Sequence, residues 1–416
     1  MADPVRRIAI LGAGVAGASL AFRLARAGIA VAVFDRMRRP PLIVGESMIP
    51  AIIPFLRDLG LEEEVADYSI FKPGATFVFS PEESLDVTFS EVRGARTTYA
   101  YNIPRGKLDA SVAARAFDAG ARHVEAHARL ERVAESDRVR LAPDSLAAVE
   151  PLLGGPPDLI VDASGRARLI SNLLDLPFDA GPRKDAALFA HCDGVPLRMP
   201  GNIHVDYLER GWSWRIPLPG RVSVGLVMDS GHLKRFGDTI DEQYDRYLAH
   251  DPMIRAWGPT PKRLTRVMKY NNYQLVTRRG VGDGWVLLGD AFGFIDPVFS
   301  SGTLLAFHSA RELARVLVAG GGAARLARYE QRVTRHIRNW QRTVDHFYNG
   351  RLLTLFRVGE LVHGTLLGRL IDPHMRKYLP RVFTGEGSAG RYSPALVDFM
   401  CRRGLLDLDP EELRVA

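Results

Sequence analysis

The clearest pattern of apolar and polar positions lies at the start of the chain. A short apolar, β-branched run over 7–11 is followed by Gly12-Ala13-Gly14-Val15-Ala16-Gly17, by helical composition from Ala18 to Arg26, and by Ala30-Val31-Ala32-Val33-Phe34 closed by Asp35. That order predicts a strand, a glycine turn, a helix and a second strand. Apolar runs recur at Leu159–Val161 and over 284–288, each leading to an acid, Asp162 and Asp290. Between 188 and 228 the text turns to alternating and β-branched runs such as Arg221-Val222-Ser223-Val224-Gly225-Leu226-Val227, which predict a sheet. From Ala323, the spacing of Tyr329, Val333, Ile337 and Trp340 predicts a helix, followed by an apolar stretch through Phe356 and Leu366. The expected class is α/β: a Rossmann-like nucleotide-binding domain interrupted by a β-sheet domain, with a C-terminal helical region.

Composition bounds this picture without choosing a function. At 416 residues, the chain is too long for one ordinary core and suggests two or three domains. With 46% apolar and 25% charged residues it has the material to fold on a core of its own. The two cysteines, Cys192 and Cys401, make neither a disulfide framework nor a CxxC site, and the expected compartment is reducing, hence cytoplasmic. The 11 histidines show no ligand spacing, so no metal site is expected. A net charge of +7 suits an acidic or phosphorylated partner, but the arginines are spread along the chain without a ribonucleoprotein motif, and nucleic acid is not expected. Arg6 and Arg7 before the apolar run 8–22 imitate a secretory signal, against which its glycines argue. No stretch approaches the ~18–20 apolar residues that span a bilayer, and no integral membrane association is expected.

The first motif carries specific chemistry. Gly12 permits the tight turn, Gly14 lets a pyrophosphate approach the backbone, and Gly17 lets the helix pack on the sheet, while the helix N-terminus offers amides to an anion. Asp35 stands 35 − 14 = 21 residues after the second glycine, near the ~20 expected of a carboxylate that binds ribose hydroxyls. This unit alone leaves FAD and NAD open. Later, the strand entering Gly289-Asp290-Ala291 sets Asp290 at a strand's C-terminal edge, where open α/β sheets bind ligands.

With Arg105 and Asp109 in Ile103-Pro104-Arg105-Gly106-Lys107-Leu108-Asp109, and with Asp162-Ala163-Ser164-Gly165-Arg166, these segments resemble flavin-dependent monooxygenases of the para-hydroxybenzoate hydroxylase type over roughly 7–310. The resemblance implies FAD, held by Gly12, Gly14, Ala16, Gly17, Asp35, Arg105, Asp290, Pro297 and Gly302, with Gly45, Glu46 and Ser47 as a loop against the flavin.

Three further segments resemble flavin-dependent halogenases. Trp212-Ser213-Trp214-Arg215-Ile216-Pro217 matches the family's Trp-x-Trp-x-Ile-Pro signature, implying a wall of Trp212, Trp214, Ile216 and Pro217 that keeps an organic substrate from the flavin. Two residues apart on a strand, the tryptophans share a face, although paired strand aromatics also build ordinary cores. Lys72-Pro73-Gly74-Ala75-Thr76 matches the segment with the family's essential lysine. An ammonium in a dry tunnel can polarise hypohalous acid, or react to a haloamine if its pKa is depressed; a surface lysine is the commoner fate. Phe294-Ile295-Asp296-Pro297-Val298-Phe299-Ser300-Ser301-Gly302 matches Phe-x-x-Pro-x-x-Ser-x-Gly, implying halide at Ser301 and Gly302; a capped helix start holding only flavin is the alternative.

The resemblance therefore implies an FADH2-dependent halogenase that forms hypohalous acid from O2 and chloride or bromide and passes it by Lys72 to an electron-rich aromatic carbon. A separate reductase would supply FADH2. Where tryptophan halogenases carry a glutamate before the halide segment, this chain has Phe299, which favours a phenol or pyrrole, free or tethered to an acyl carrier protein. The rivals are an aromatic hydroxylase of the same fold and a flavin-dependent prenyl reductase. His204 and Glu46 are acid–base candidates with ordinary hydrogen-bonding alternatives, and His308 is expected to pack on its helix. Expected domains are 1–180 with 270–322 for FAD, including substrate-side strands near 71–102; 181–269 for the sheet; and 323–416 for a helical cap over the substrate entrance or a packing appendage.

Overall fold

The computed structural model describes residues 5–38, 40, 42–271, 274–362, 377–403 and 414–415. Leu366 and most of the C-terminal segment beyond 403 lie outside them.

The N-terminal apolar run becomes the strand Arg7–Leu11, near the middle of a six-stranded sheet. Its neighbours are Ala30–Phe34 on one side and Leu159–Asp162 on the other, both parallel. Arg122–Val124 extends the sheet beyond Ala30–Phe34, and Trp285–Leu287 beyond Leu159–Asp162, again in parallel; Val281–Gly282 closes that edge antiparallel. Strands covered on both faces read as unbroken apolar runs, which is why 8–11, 31–34 and 159–161 show no alternation. Helix Val15–Arg26 packs against Arg105–Asp118 and Gly302–Val318. A Cβ at Gly17 would meet the Gly12 carbonyl oxygen at 2.0 Å and the Ala163 side chain at 3.0 Å, so only glycine allows this approach of helix to turn.

The second sheet runs Lys262–Arg263, Asp185–Asp193, Arg221–Asp229, Trp212–Leu218, Ile203–Tyr207, Gly74–Val78 and Ser84–Thr88, with Met268–Asn271 also paired to Asp185–Asp193. Gly74–Val78, from early in the chain, joins Ile203–Tyr207 in parallel, so the segment after Lys72 is part of this sheet. Registers place Phe77, Val205, Trp214, Gly225 and Phe189 in one row, and Tyr207, Trp212, Val227 and Ala187 in the next, on one face. That face shares a core with the six-stranded sheet. The opposite face, with Leu188, Ala190, Val224 and Leu226, packs with Tyr244, Tyr247 and Leu248 of helix Ile240–His250 as a second core.

The C-terminal region is helical where described. Helix Ala323–Tyr348 buries Tyr329, Val333, Ile337 and Trp340, the positions picked out by spacing, together with Val344 and Phe347. Tyr329 Oη donates to the Leu287 carbonyl at 2.8 Å, fastening this helix to the six-stranded sheet. Helix Arg351–Val362 follows, then Arg381–Thr384 and Tyr392–Arg403.

Candidate active site

Gly14 is the N-cap of helix Val15–Arg26 without a capping side chain, the first turn holds no acid, and a Cβ at Gly14 would meet nothing within 4 Å. A helix end with free amides, positive dipole and open space fits a diphosphate. Asp35, at the end of its strand, has Oδ2 2.6 Å from the Ala13 amide and Oδ1 2.6 Å from that of Met37, so the carboxylate braces the glycine turn. Arg105 donates through Nε to Asp109 at 3.0 Å and through Nη1 to the Val44 carbonyl at 2.8 Å, beside Gly45. Asp162 is absorbed locally, accepting from the Ser164 amide and hydroxyl and from the Ile170 amide. Asp290 borders a cleft of about 350 Å³ lined also by Arg166, Arg168, Tyr270 and Phe294. Burial pushes the Asp290 carboxyl up to about 6 against the pull of Arg105 and Arg166. This uncapped cradle, with its carboxylates and cations around one strand edge, fits a flavin dinucleotide.

Lys72 ends the strand Ile70–Lys72, which pairs with Ala100–Asn102. Its side chain is turned inward and the residue is 1% exposed. Nζ donates to Ser47 Oγ at 2.8 Å and to the Met48 carbonyl at 2.7 Å, and stands 5.5 Å from the centre of the Phe89 ring. Burial draws its pKa down to about 7, so near neutrality the amine is divided between both protonation states. The glycine loop expected against a flavin is thus also the seat of this amine. Glu46, next to Ser47, accepts from His191 Nε2 at 3.0 and 3.1 Å, both groups buried. His191 follows Phe189 by two residues in Asp185–Asp193 and so faces the same side as the tryptophans. Nothing in its sequence context marks it; only the sheet register brings it to Glu46.

Trp212 and Trp214 do share a face, their ring centroids 5.8 Å apart at 47°. The indole of Trp214 donates to Ser223 Oγ at 3.3 Å and lies over Gly225, where a Cβ would come within 2.1 Å of the ring. Ile216 falls in the next row of that face. Pro217 does not: alternation turns it to the other side, opposite Val222 of the second core, because consecutive strand residues point apart.

The turn Pro297–Phe299 leads through Ser300, at φ +54°, to Ser301 and the helix Gly302–Val318. Ser301 is fully buried and its Oγ has no hydrogen-bond partner in the protein, while a Cβ at Gly302 would meet nothing within 4 Å. An uncapped helix start with an orphan hydroxyl suits a small anion. Phe299 lies among Phe77, Trp340, Phe347 and Phe383, with centroids 5.8–6.5 Å away, an apolar aromatic cluster joining the sheet face to the C-terminal helices.

Of the remaining candidates, His204 lies on the opposite face, where its Nε2 accepts from the Arg198 and Met199 amides at 3.0 and 3.3 Å. Burial and Arg215 press its pKa down to about 3, a structural acceptor rather than an acid–base group. His308 packs against His336 with ring centroids 4.5 Å apart. Among the described residues, no group of His, Cys, Asp and Glu could hold a metal and no helix is long and apolar enough to cross a membrane.

The chain matches the tryptophan halogenase family model over residues 83–351 and an FAD binding domain model over 6–142. It is 30% identical to the flavin-dependent halogenase armH3 of Armillaria mellea over 75% of this chain and 67% of that protein. It is 25% identical to the 1H-pyrrole-2-carbonyl-[peptidyl-carrier protein] chlorinase of Pseudomonas fluorescens over 99% of this chain and 96% of that protein. In fold it is similar to the flavin-dependent brominase Bmp2, with a TM-score of 0.76 at 20% identity over 96% of this chain and 98% of that one. The myxobacterial chondrochloren halogenase CndH superposes with a TM-score of 0.71 at 22% identity over 99% of this chain and all of the other.

Proposed function

The chain belongs to the flavin-dependent halogenase family, and on that premise we propose that it chlorinates or brominates an electron-rich phenol or pyrrole, free or tethered to a carrier protein, through Lys72. Bound reduced FAD would supply, with dioxygen, the two-electron oxidation of halide to hypohalous acid. Gly12, Gly14 and Ala16 would hold its diphosphate, with Gly17 letting the helix approach the turn, Asp35 its ribose, and Arg105, Asp290, Pro297, Gly302 and the loop Gly45, Glu46 and Ser47 the remainder. Ser301 Oγ and the amide of Gly302 would receive the halide.

The observation that carries this reading is the buried amine. Lys72 has two of its three possible donors committed to neutral oxygens of Ser47 and Met48. The third can donate to the oxygen of hypohalous acid, making the halogen more electrophilic. A ring carbon attacks the halogen, the halogen–oxygen bond breaks, and Nζ gives its proton to the departing hydroxide, forming water. The ring proton then leaves and restores the ammonium. Trp212, Trp214 and Ile216 form an apolar face that would keep the aromatic substrate from the cofactor. Phe299 and its buried aromatic neighbours carry no base, and on this reading the amine takes up the ring proton.

The carrier-tethered option draws support from the pyrrole chlorinase that aligns over almost the whole chain. FADH2 would arrive from a separate reductase. The test is incubation with FAD, a reductase, oxygen, bromide and a panel of phenols, pyrroles and carrier-bound pyrrole acyl groups. Brominated product from wild type and none from Lys72→Ala is expected; hydroxylated product that survives Lys72→Ala would refute the proposal in favour of direct oxygen transfer.

A further inference from the structure

A chain of buried hydrogen bonds connects the tryptophan face to the turn ahead of the helix Gly302–Val318. Trp212 Nε1–H donates to Tyr348 Oη at 2.9 Å, and Tyr348 O–H donates to Asp296 Oδ2 at 2.7 Å. An indole nitrogen only donates, so the direction is set: the phenol accepts from Trp212 and sends its own proton to the carboxylate. Asp296 Oδ1 accepts the Val298 amide at 3.0 Å and so caps the turn Pro297–Phe299. Both carboxylate oxygens are acceptors, the arrangement of an ionised group. From this turn the backbone passes through Ser300, whose amide donates to the Pro297 carbonyl at 2.8 Å, into Ser301 and Gly302.

Tyr348 belongs to none of the motifs legible in the sequence. It is the last residue of the helix Ala323–Tyr348, 136 residues from Trp212 and 52 from Asp296, yet its hydroxyl is where strand, turn and helix meet. We propose that Tyr348 is a positioning residue for halogenation, its hydroxyl locking the Trp212 ring and the Asp296 turn into one geometry so that the halide seat at Ser301 and Gly302 keeps its shape and its distance from negative charge. The inference rests on the reading of Ser301 and Gly302 as the halide seat.

The charged surroundings sharpen the consequence. Arg183 lies 4.2 Å from the centre of the Tyr348 ring and is paired with Asp185 at 2.6 Å. Burial, aided by Asp185, pushes the Asp296 carboxyl up to about 6, while Tyr348, the Val298 amide and Arg183 pull the other way. Burial together with Asp296 and Asp185 raises the Tyr348 phenol, so it stays protonated across the working range. Removing only the hydroxyl leaves an indole donor and a carboxylate oxygen without partners in a buried place. Loss of the phenol's hydrogen bond also moves the Asp296 pKa further up from about 6, and at pH values above that new value the carboxylate, ionised and no longer held, repels an incoming halide.

The experiment is a double-mutant cycle of Tyr348→Phe and Asp296→Asn read as the halide KM across pH, with Ser301→Ala as control. Tyr348→Phe is expected to raise the bromide KM about tenfold where Asp296 is ionised in the variant, which without the phenol needs a pH further above 6 than in wild type, and by less where the carboxyl is protonated, with a smaller change in kcat. In the Asp296→Asn background the same substitution is expected to change KM less than about twofold, since members of one network couple. A second readout uses FAD-saturated wild type labelled with ¹⁵N at the indoles, Trp212→Phe identifying the resonance. Added bromide is expected to shift the Trp212 Nε1–H signal, and this response is lost in Tyr348→Phe. It also decides the matter if the variant does not fold, because a wild-type indole indifferent to bromide overturns the proposal. A bromide KM unchanged by Ser301→Ala overturns the halide seat itself. A raised KM there beside an unchanged or purely additive effect of Tyr348→Phe overturns the role of Tyr348, as does a loss confined to Tm and kcat.

Discussion

Replacing Lys72 by methionine tests the buried amine independently of any substrate. The ammonium has left water for a site where it meets two neutral oxygens and a ring face, and its pKa falls from 10.5 to about 7. At 1.36 kcal/mol per unit, holding the proton in the folded state below pH 7 costs about 5 kcal/mol relative to the unfolded chain. The sign follows from proton counting. Between the folded pKa of about 7 and the unfolded value of 10.5, the unfolded chain holds the extra proton, so wild-type stability rises with pH through that window and is flat, from this group, below it. Methionine has similar reach and no charge. It removes the slope, while the Ser47 hydroxyl and Met48 carbonyl lose a donor at about 1 kcal/mol each. Lys72→Met is therefore expected to be more stable than wild type by about 2–3 kcal/mol at neutral pH. The difference should shrink by about 1.4 kcal/mol per pH unit within the window. Urea denaturation of both proteins at several pH values from neutral to about 9.5, at fixed FAD, measures this within that window. Parallel stability curves, or a variant less stable at every pH, would refute a desolvated amine. The same variant is expected to make no halogenated product, so stability and activity part company, as they do where a site is built from an energetically unfavourable group.

Three further outcomes follow from particular contacts. Gly225→Val should cost about 3 kcal/mol in denaturant titrations, because its side chain collides with the Trp214 indole that already stands 2.1 Å from a Cβ position; an unchanged midpoint would mean that the indole is free to move. Ser301→Ala removes a buried hydroxyl without a partner, so Tm should hold or rise slightly while halide KM increases, and a loss of stability would show that the hydroxyl is engaged. His204→Gln should cost some stability but leave the pH profile of halogenation unchanged around neutrality, since the imidazole stays neutral above about pH 3; a displaced profile would return His204 to the acid–base chemistry.

The local sequence determined the elements whose physics is local. Glycines at 12, 14 and 17 between two apolar runs can only be a tight turn from strand to helix, and a 3.6-residue apolar period over 329–340 can only bury one helix face. Lys72, the two tryptophans and the Ser301–Gly302 helix start were legible only through the resemblance of their short segments to flavin-dependent halogenases, since their residue types alone also suit a surface lysine, a core pair and a capped helix start. Tertiary structure alone decided what those residues meet. Ser47 and Met48 come to Lys72 from 25 and 24 residues away, His191 to Glu46 across 145, and Tyr348 to Trp212 across 136. Strand register turned Pro217 away from the wall and His204 to the far face, while bringing His191 to the near one. The physical reason is that one strand position inverts the direction of a side chain, and the pairing that fixes this parity is made with distant strands. The depressed pKa of Lys72 has the same origin: desolvation is a property of everything that surrounds an amine, and its own stretch of sequence supplies only a small part of those surroundings.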